Sequence, residues 1–408
     1  MKESQIQEIQ GLYGPFTVAE RVLQKAWLRR YFAAGDLRLK SDKSLEVLHP
    51  GRWNHHEGPD FVAAHLRIDG VERVGDVEVH FTPQDWRDHG HSSDPAFRSV
   101  ILHVVFFDEV RTGPTIFNSA GEELETFVMG RFMREDLETF AHEDALLEME
   151  TRDAMPWATN FLQLSADERQ SRIFMNACLR WRQKVHYAEK RLQRLGWTQA
   201  CHSAALEVLG YRRNRVPMAR LAESIPLSQW RSSRPDPAAC LSDKSLIWRL
   251  NGLRPANHPL RRLRDYSAFV GRSDVWPVTL QSILTQFQWP QSAGYQSGSS
   301  LFSSRSERSR LNLTHLRKLL LGYFNGLAGS SRLDTLMVDA ILPLWAALQS
   351  QLPTQAYWLH WPVGDVPPCC RDFLREAFAE DGLVPVFNNG LLQGALQLYF
   401  NNVTTPEF

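Results

Sequence analysis

Between Gly58 and His103 the chain gathers side chains able to hold a cation or move a proton. They are Asp60 behind Pro59, then Gly75-Asp76-Val77-Glu78-Val79-His80, then Asp85-Trp86-Arg87-Asp88-His89-Gly90-His91, then His103. In a strand alternate side chains share a face, so Asp76, Glu78 and His80 are expected together, with Val77 and Val79 turned the other way. Two carboxylates and an imidazole on one face must be solvated or supplied with a cation. Asp60 opens the neighbouring strand of an expected hairpin and would stand beside Glu78. Carboxylate oxygens grouped in this way suit Mg²⁺ or Mn²⁺. Such a metal lowers the pKa of a bound water and stabilises charge on a phosphoryl oxygen. The expected metal ligands are therefore Asp60, Glu78 and Asp76, with His80 as base or orienting group beside them.

The histidines admit a second chemistry. Imidazole is a good ligand for Zn²⁺, and His89-Gly90-His91 is compact. With Glu78 or Asp85, the set His80, His89, His91 and His103 would make a hydrolytic zinc site, although no HExxH motif is present. Structural tasks compete for the same residues. His89 and His91 can be loop hydrogen-bonders, and His103, on an apolar strand, is expected in the core. Asp60 can be a turn acid and Glu78 part of a solvated strand face. Glu20 forms a capping box with Thr17 and is an accessory site candidate after that. Trp86 is expected to cover the core, with stacking on a base as the alternative.

The elements that must position these groups follow from periodicity. An amphipathic helix is expected over 17–34, ended by Gly35-Asp36, then strands over 44–49, 60–69 and 73–81. Asp69-Gly70 between the last two is a hairpin signal. A short helix is expected at 83–89, and the apolar run 99–107 reads as a strand buried on both faces. A strand near 115–118 and a helix near 132–148 would complete this part. Beyond residue 150 the period becomes that of helices, expected over 166–195, 198–209, 215–224, 259–271, 275–288, 311–327, 333–351 and 368–380. The expected architecture is an α/β N-terminal domain, residues 1–150, with a small mixed sheet, followed by a basic, mostly α-helical domain, residues 151–408.

At 408 residues, 43 % hydrophobic and 23 % charged, the composition is that of a globular protein and excludes a mainly disordered chain. No apolar run reaches the ~18 residues of a membrane helix, and the polar start Met1 to Glu8 is unlike a signal peptide. The five cysteines, at 178, 201, 240, 369 and 370, form no CxxC pair, which points away from a disulfide scaffold and toward a reducing cytoplasm. The zero net charge conceals an asymmetry. Residues 1–150 hold 27 Asp and Glu against 16 Lys and Arg, and the remainder holds 19 against 30. Basic groups cluster at Arg180, Arg182 and Lys184, at Arg212 and Arg213, and at Arg261 and Arg262. Contacts from these to phosphate would give salt-sensitive binding to DNA or RNA. A solvated helix face is the simpler alternative. Phosphate-loop, nucleophile-elbow, kinase and dinucleotide motifs are all missing.

Over roughly residues 17–107 the chain resembles the PD-(D/E)XK nuclease superfamily. Pro59-Asp60 is similar to its Pro-Asp, and Glu78-Val79-His80 to its (D/E)XK, with His in place of Lys. The resemblance implies a restriction-endonuclease-like core of helix, three strands, helix and strand. It also implies Mg²⁺ or Mn²⁺ at Asp60 and Glu78, and Glu20 as the extra acid of the first helix. A longer resemblance, to the bacterial domain-of-unknown-function family 2851, rests on Asn54 with Gly58-Pro59-Asp60-Phe61, on Gly75 to His80, on Asp85 to His91 and on Val100 to Val105. Gly210 to Asn214, Leu221 to Pro226 and Arg254 to Pro259 extend it. This family implies no activity. The expected function is a metal-dependent, nuclease-like phosphodiesterase acting on DNA or RNA. The alternatives are a non-catalytic nucleic-acid or protein binding scaffold and a zinc hydrolase.

Overall fold

The computed structural model describes residues 20–404 apart from 33–34, 55–56, 108–114, 135–136, 151–155, 212–213, 244–245, 247, 251–252, 254, 274, 291–297, 364–365 and 380–385. The chain forms two compact units, Met1–Ala141 and His142–Phe408.

In the first unit, helix α1 (Glu20–Leu28) buries Val22, Leu23, Ala26 and Trp27. That i, i+1, i+4, i+5 spacing makes one apolar stripe. Seven strands follow: β1 (Leu37–Arg38), β2 (Ser44–His49), β3 (Arg52–Trp53), β4 (Phe61–Ile68), β5 (Val71–His80), β6 (Val100–Val105) and β7 (Glu125–Val128). They pair in the order β1-β2-β4-β5-β6-β7, with β3 also on β4. Pairing is antiparallel as far as β5 and parallel from β5 to β6 and from β6 to β7. Asp69 and Gly70 both have positive φ, 50° and 81°, as a two-residue hairpin turn of matching twist requires.

The sheet is larger than the small one expected. β1 and β3 are two residues long, too short to show a period. The strand expected near 115–118 is reduced to a single bridge, Phe117 to Glu123, and the neighbour of β6 is β7 instead. β4 carries a bulge, so that Val62 and Ala63 face Asp76 alone, and Ala63 is left-handed at φ 55°. Gly75 lies where β5 meets β6: a Cβ there would stand 2.5 Å from Ile101 Cγ2 and 2.8 Å from the Ser99 carbonyl oxygen. The parallel step from β5 to β6 is bridged by the short helix α2 (Asp85–Asp88) and the 3₁₀ turns His91–Ser93 and Pro95–Phe97. Beneath this crossover Trp86, Phe97, Val100, Ile116 and Leu124 form their own buried cluster.

The second unit is helical. The boundary falls within α3 (Leu137–Glu150), which is followed by α4 (Pro156–Leu162) and α5 (Ala166–Leu209). Ser165 and Glu168 form a capping box at the start of α5, and Gly196, at φ 67°, breaks it into the two helical stretches expected separately. Helices Arg215–Ser224, Pro259–Arg272, Trp276–Gln286, Leu313–Tyr323 and Pro368–Phe378 lie within a few residues of expectation. The helix expected over 333–351 runs from Ser330 to Leu348 but passes through a π turn at Met337–Ile341. Pro343 follows that turn and lacks the N–H that a regular ladder would use. Helix Asn389–Thr404 was not expected. Gly394 permits a close approach to α5, where a Cβ would stand 2.3 Å from the Ile173 carbonyl oxygen.

Candidate metal centre

β5 carries Glu78 and His80 into the interior, where they are 6 % and 1 % exposed. The crossover then folds back over them. Asp85 accepts a hydrogen bond from the Thr82 N–H at 2.7 Å and starts α2, and Gly90, left-handed at φ 73°, turns the chain after it. His89 and His91, on either side of that turn, converge on His80. His89 Nδ1 lies 3.2 Å from His80 Nε2. Glu78 Oε1 lies 3.3 Å from His80 Nε2 and 3.3 Å from His91 Nε2. The His80 and His91 rings are nearly parallel, with centroids 5.2 Å apart. One ring nitrogen from each of His80, His89 and His91 falls within 4.8 Å of the others.

A supporting layer holds these groups. His80 Nδ1 lies 2.9 Å from Nε2 of His103 on β6, which is fully buried. The Asp60 N–H donates to Glu78 Oε2 at 2.9 Å. The Asp60 carboxylate accepts from the Val79 N–H at 3.0 Å and from Gln24 Nε2 at 2.6 Å. Gln24 Oε1 in turn accepts from the Trp53 indole at 3.2 Å. Glu20 Oε1 stands 3.9 Å from His80 Nε2, with a side chain 36 % exposed, and forms the solvent side of the cluster. His103 Nδ1 is buried without a hydrogen-bond partner.

These surroundings set the charges. Burial holds Asp60 well above the usual carboxylate range, and the nearby Glu78 charge adds to it. Burial also pushes Glu20 up to about 7; Glu78 and Asp85 reinforce the shift and His80 opposes it. For Glu78 burial acts upward too, but the His80 and His91 imidazoles and the Asp60 N–H outweigh it and hold it below its ordinary value. Burial, with His80 and His91 adding, lowers His89 and puts His103 well below the ordinary imidazole range. Glu78 is thus the firm carboxylate of the centre, and His89 and His103 are biased toward the neutral imidazole.

A family model described as "Protein of unknown function (DUF2851)" matches residues 20–242, more than half of the chain. The chain belongs to this family. No curated protein and no solved structure matches it. Two of the residues that carry the family resemblance hold loops, Asn54 beside the centre and Asn214 in the helical unit. Asn54 Nδ2 donates to the carbonyls of Glu57 and Pro59, and the Asn54 N–H donates to the Asp60 carbonyl at 2.7 Å, which fixes the loop leading into Asp60. Asn214 ties the chain near Gly210 to Arg249 through both its amide atoms.

Not every expected site residue is where the sequence suggested. Asp76 is a correction: it faces the β4 bulge, and its Oδ1 accepts from the Ala63 N–H at 3.0 Å. Strand alternation alone cannot reveal a bulge on the neighbouring strand. His103 is in the core, as expected, but it also buttresses His80. Trp86 is fully buried and donates to Ser92 Oγ, which removes it as a stacking platform. Thr17, the expected capping partner of Glu20, lies outside the described residues. Gln24 was missed; its signal was a polar residue four after Glu20, on the same helix face.

The expected phosphate contacts divide. Arg180, Lys184 and Arg262 are buried and cannot form an exposed basic face. Arg180 reaches Gln393, Lys184 pairs with Asp339 at 3.0 Å, and Arg262 approaches Asp265 and lies over the Tyr211 ring. The partners of Arg180 and Lys184, and the Tyr211 ring under Arg262, are distant in sequence, so charge spacing along one helix could not reveal them. Arg182 and Arg261 are exposed. Arg212 and Arg213 lie outside the described residues. Among the described residues, no helix is long and apolar enough to cross a membrane.

Proposed function

We propose that this protein is a metal-dependent, nuclease-like phosphodiesterase acting on DNA or RNA. The observation that carries this reading is the burial of Glu78 and His80 at the end of β5, with Asp60 beside them at the start of β4 and Glu20 on the solvent side. The chain runs α1, β1 to β5, α2, β6, so helix, strands, helix and strand follow one another as that reading expects, with the two-residue strands β1 and β3 added to its three. A divalent metal bound here would stabilise charge on a phosphoryl oxygen. The residues of the chain supply the rest. Glu78 Oε1 offers negative charge, and the Asp60 N–H holds the other oxygen so that Oε1 stays aimed inward. His80 helps to fix the position of the reacting water, and Glu20 Oε1, 3.9 Å from His80 on the solvent side, stands where it can take that water's proton. Exposed Arg182 and Arg261 are available to phosphate.

The second reading, a non-catalytic binding scaffold, draws on a specific feature: both Asp60 oxygens are engaged by Val79 and Gln24. Cleavage assays on single-stranded DNA, duplex DNA and RNA, with Mg²⁺, Mn²⁺ or Zn²⁺, separate the two. The phosphodiesterase reading expects cleavage that Glu78→Gln reduces at least ~100-fold, in line with loss of one essential catalytic group. No cleavage of any substrate, or cleavage indifferent to Glu78→Gln, rejects it.

A further inference from the structure

Mg²⁺ asks for near-octahedral oxygen coordination. The centre does not offer it. Asp60 gives both oxygens to Val79 and Gln24, Asp76 is turned to the bulge, and Glu78 Oε1 is surrounded by ring nitrogens. Imidazole-rich sets suit Zn²⁺ and its neighbours instead.

We propose that the centre is a zinc-type transition-metal site whose ligands are His80, His89, His91 and Glu78, with His103 as the positioning residue for His80. The proposal rests on reading this cluster as a metal centre and is independent of whether the protein hydrolyses anything.

Three observations carry it. The first is spacing. Zn–N bonds of about 2.0–2.1 Å in a tetrahedron place neighbouring donor atoms roughly 3.3–3.4 Å apart. The contacts here are 3.2 Å from His89 Nδ1 to His80 Nε2, and 3.3 Å from Glu78 Oε1 to each of His80 Nε2 and His91 Nε2. The second is that hydrogen bonds do not account for the arrangement. His80 Nε2 carries at most one proton and faces both Glu78 Oε1 and His89 Nδ1, and His91 Nε2, in a residue only 8 % exposed, meets that same Glu78 oxygen at 3.3 Å. A cation among His80, His89 and His91, whose ring nitrogens lie within 4.8 Å of one another, would share these lone pairs, with Glu78 Oε1 reaching it from beside His80 and His91.

The third is the layer behind. A metal-ligating histidine characteristically donates its other ring N–H to a fixed acceptor, which sets tautomer and orientation. His80 Nδ1 faces His103 Nε2 at 2.9 Å. If His80 ligates through Nε2, its proton sits on Nδ1 and His103 Nε2 accepts it. The proton of neutral His103 then rests on Nδ1, the atom with no hydrogen-bond partner. Trp86 and Phe97 hold the neighbouring rings, the first with its centroid 5.2 Å from His91 and 5.2 Å from His103, the second 3.8 Å from His91. Glu78, His80 and His91 are therefore fixed by the core, and His89 closes the set from the exposed side.

Calorimetric titration of the chelator-stripped full-length protein with Zn²⁺, and separately with Mg²⁺, tests the proposal. One Zn²⁺ should bind at least ~100-fold more tightly than Mg²⁺. His89→Ala, at an exposed position that need not disturb folding, should weaken Zn²⁺ more than ~10-fold. His103→Phe, which keeps a ring but removes the acceptor, should weaken it ~10–100-fold, and His103→Gln, which restores an acceptor, should recover most of the loss. Zn²⁺ binding no tighter than Mg²⁺, or unmoved by His89→Ala, overturns the site. Equal affinities in the wild type and His103→Phe overturn the positioning role. Stoichiometric zinc without cleavage would reject the phosphodiesterase and keep this site; Mg²⁺-supported cleavage that survives His89→Ala would do the reverse.

Discussion

Buried charge is handled differently in the two units. In the helical unit Glu207 lies between Arg191 and Arg215, at 2.6 and 2.7 Å, and Asp334 takes two bonds from Arg317 and one from the Trp361 indole. Those carboxylates have all the donors they need, and Glu207 is held down to about 2 because its two guanidinium neighbours outweigh its burial. In the sheet unit Glu78 Oε1 is shared between two imidazole nitrogens, His80 Nε2 and His91 Nε2, each 3.3 Å away, with His89 beside them. A closed ion pair holds one conformation. An open set of donors in an equally buried place is the arrangement that calls for a ligand.

The largest effect that would sharpen this contrast is Glu207→Ala. It leaves two guanidinium groups without their carboxylate and should cost about 3–5 kcal/mol in urea unfolding, while zinc affinity of the folded protein stays unchanged. A loss below ~1 kcal/mol would break the claim that this pair is structural.

Acid should come next. His202 and His360, both fully buried, are pushed down to about 4 by burial. The unfolded chain, with ordinary histidines near ~6.5, therefore takes up protons first. Stability is full above about pH 6.5 and falls as pH drops toward 4, by up to roughly 3 kcal/mol per histidine. Glu207, with a folded value of about 2, adds a loss in the same direction below its ordinary range. Glu20 and Asp60, held above their ordinary values, act in the opposite direction over the same window, so the histidine contribution is read by difference. The change in urea midpoint from pH 7.5 to pH 5 should be less unfavourable in His360→Gln than in the wild type, and an equal change contradicts it.

Zinc should stabilise the protein by about 2.7 kcal/mol at a hundredfold excess over its dissociation constant, and a chelator should remove the gain. An unchanged midpoint in saturating zinc would mean that the open donors are not a binding site. The smallest effect is expected of His89→Ala without metal. An exposed side chain should leave stability within about 0.5 kcal/mol of the wild type, yet the zinc-induced gain should shrink markedly. A large metal-free loss would show His89 to be a structural residue like those of the helical unit.

Much of the centre was legible in the sequence because strand alternation and one hairpin bring Asp60, Glu78 and His80 together, and Gly90 keeps His89 and His91 on a short tether. What was not legible depends on partners far along the chain. The bulge at Ala63 re-aimed Asp76, and Gln24 reached Asp60 from the preceding helix. In the helical unit, most helices follow from the apolar period. The partners that bury Lys184 and Arg180, Asp339 and Gln393, lie more than 150 residues further on. A run of cations therefore looked like a surface. β7 and the glycine-containing helix Asn389–Thr404 escaped because one is four residues long and the other uses its glycine for close packing.

X-ray absorption at the zinc edge of the zinc-loaded, full-length protein tests the central claim most directly. The expected first shell is three imidazole nitrogens and one carboxylate oxygen at about 2.0–2.1 Å, with the outer-ring scattering of histidine. A first shell of five or six oxygens without imidazole scattering would contradict it, since the metal would then be held elsewhere and the cluster of His80, His89 and His91 would be packing alone.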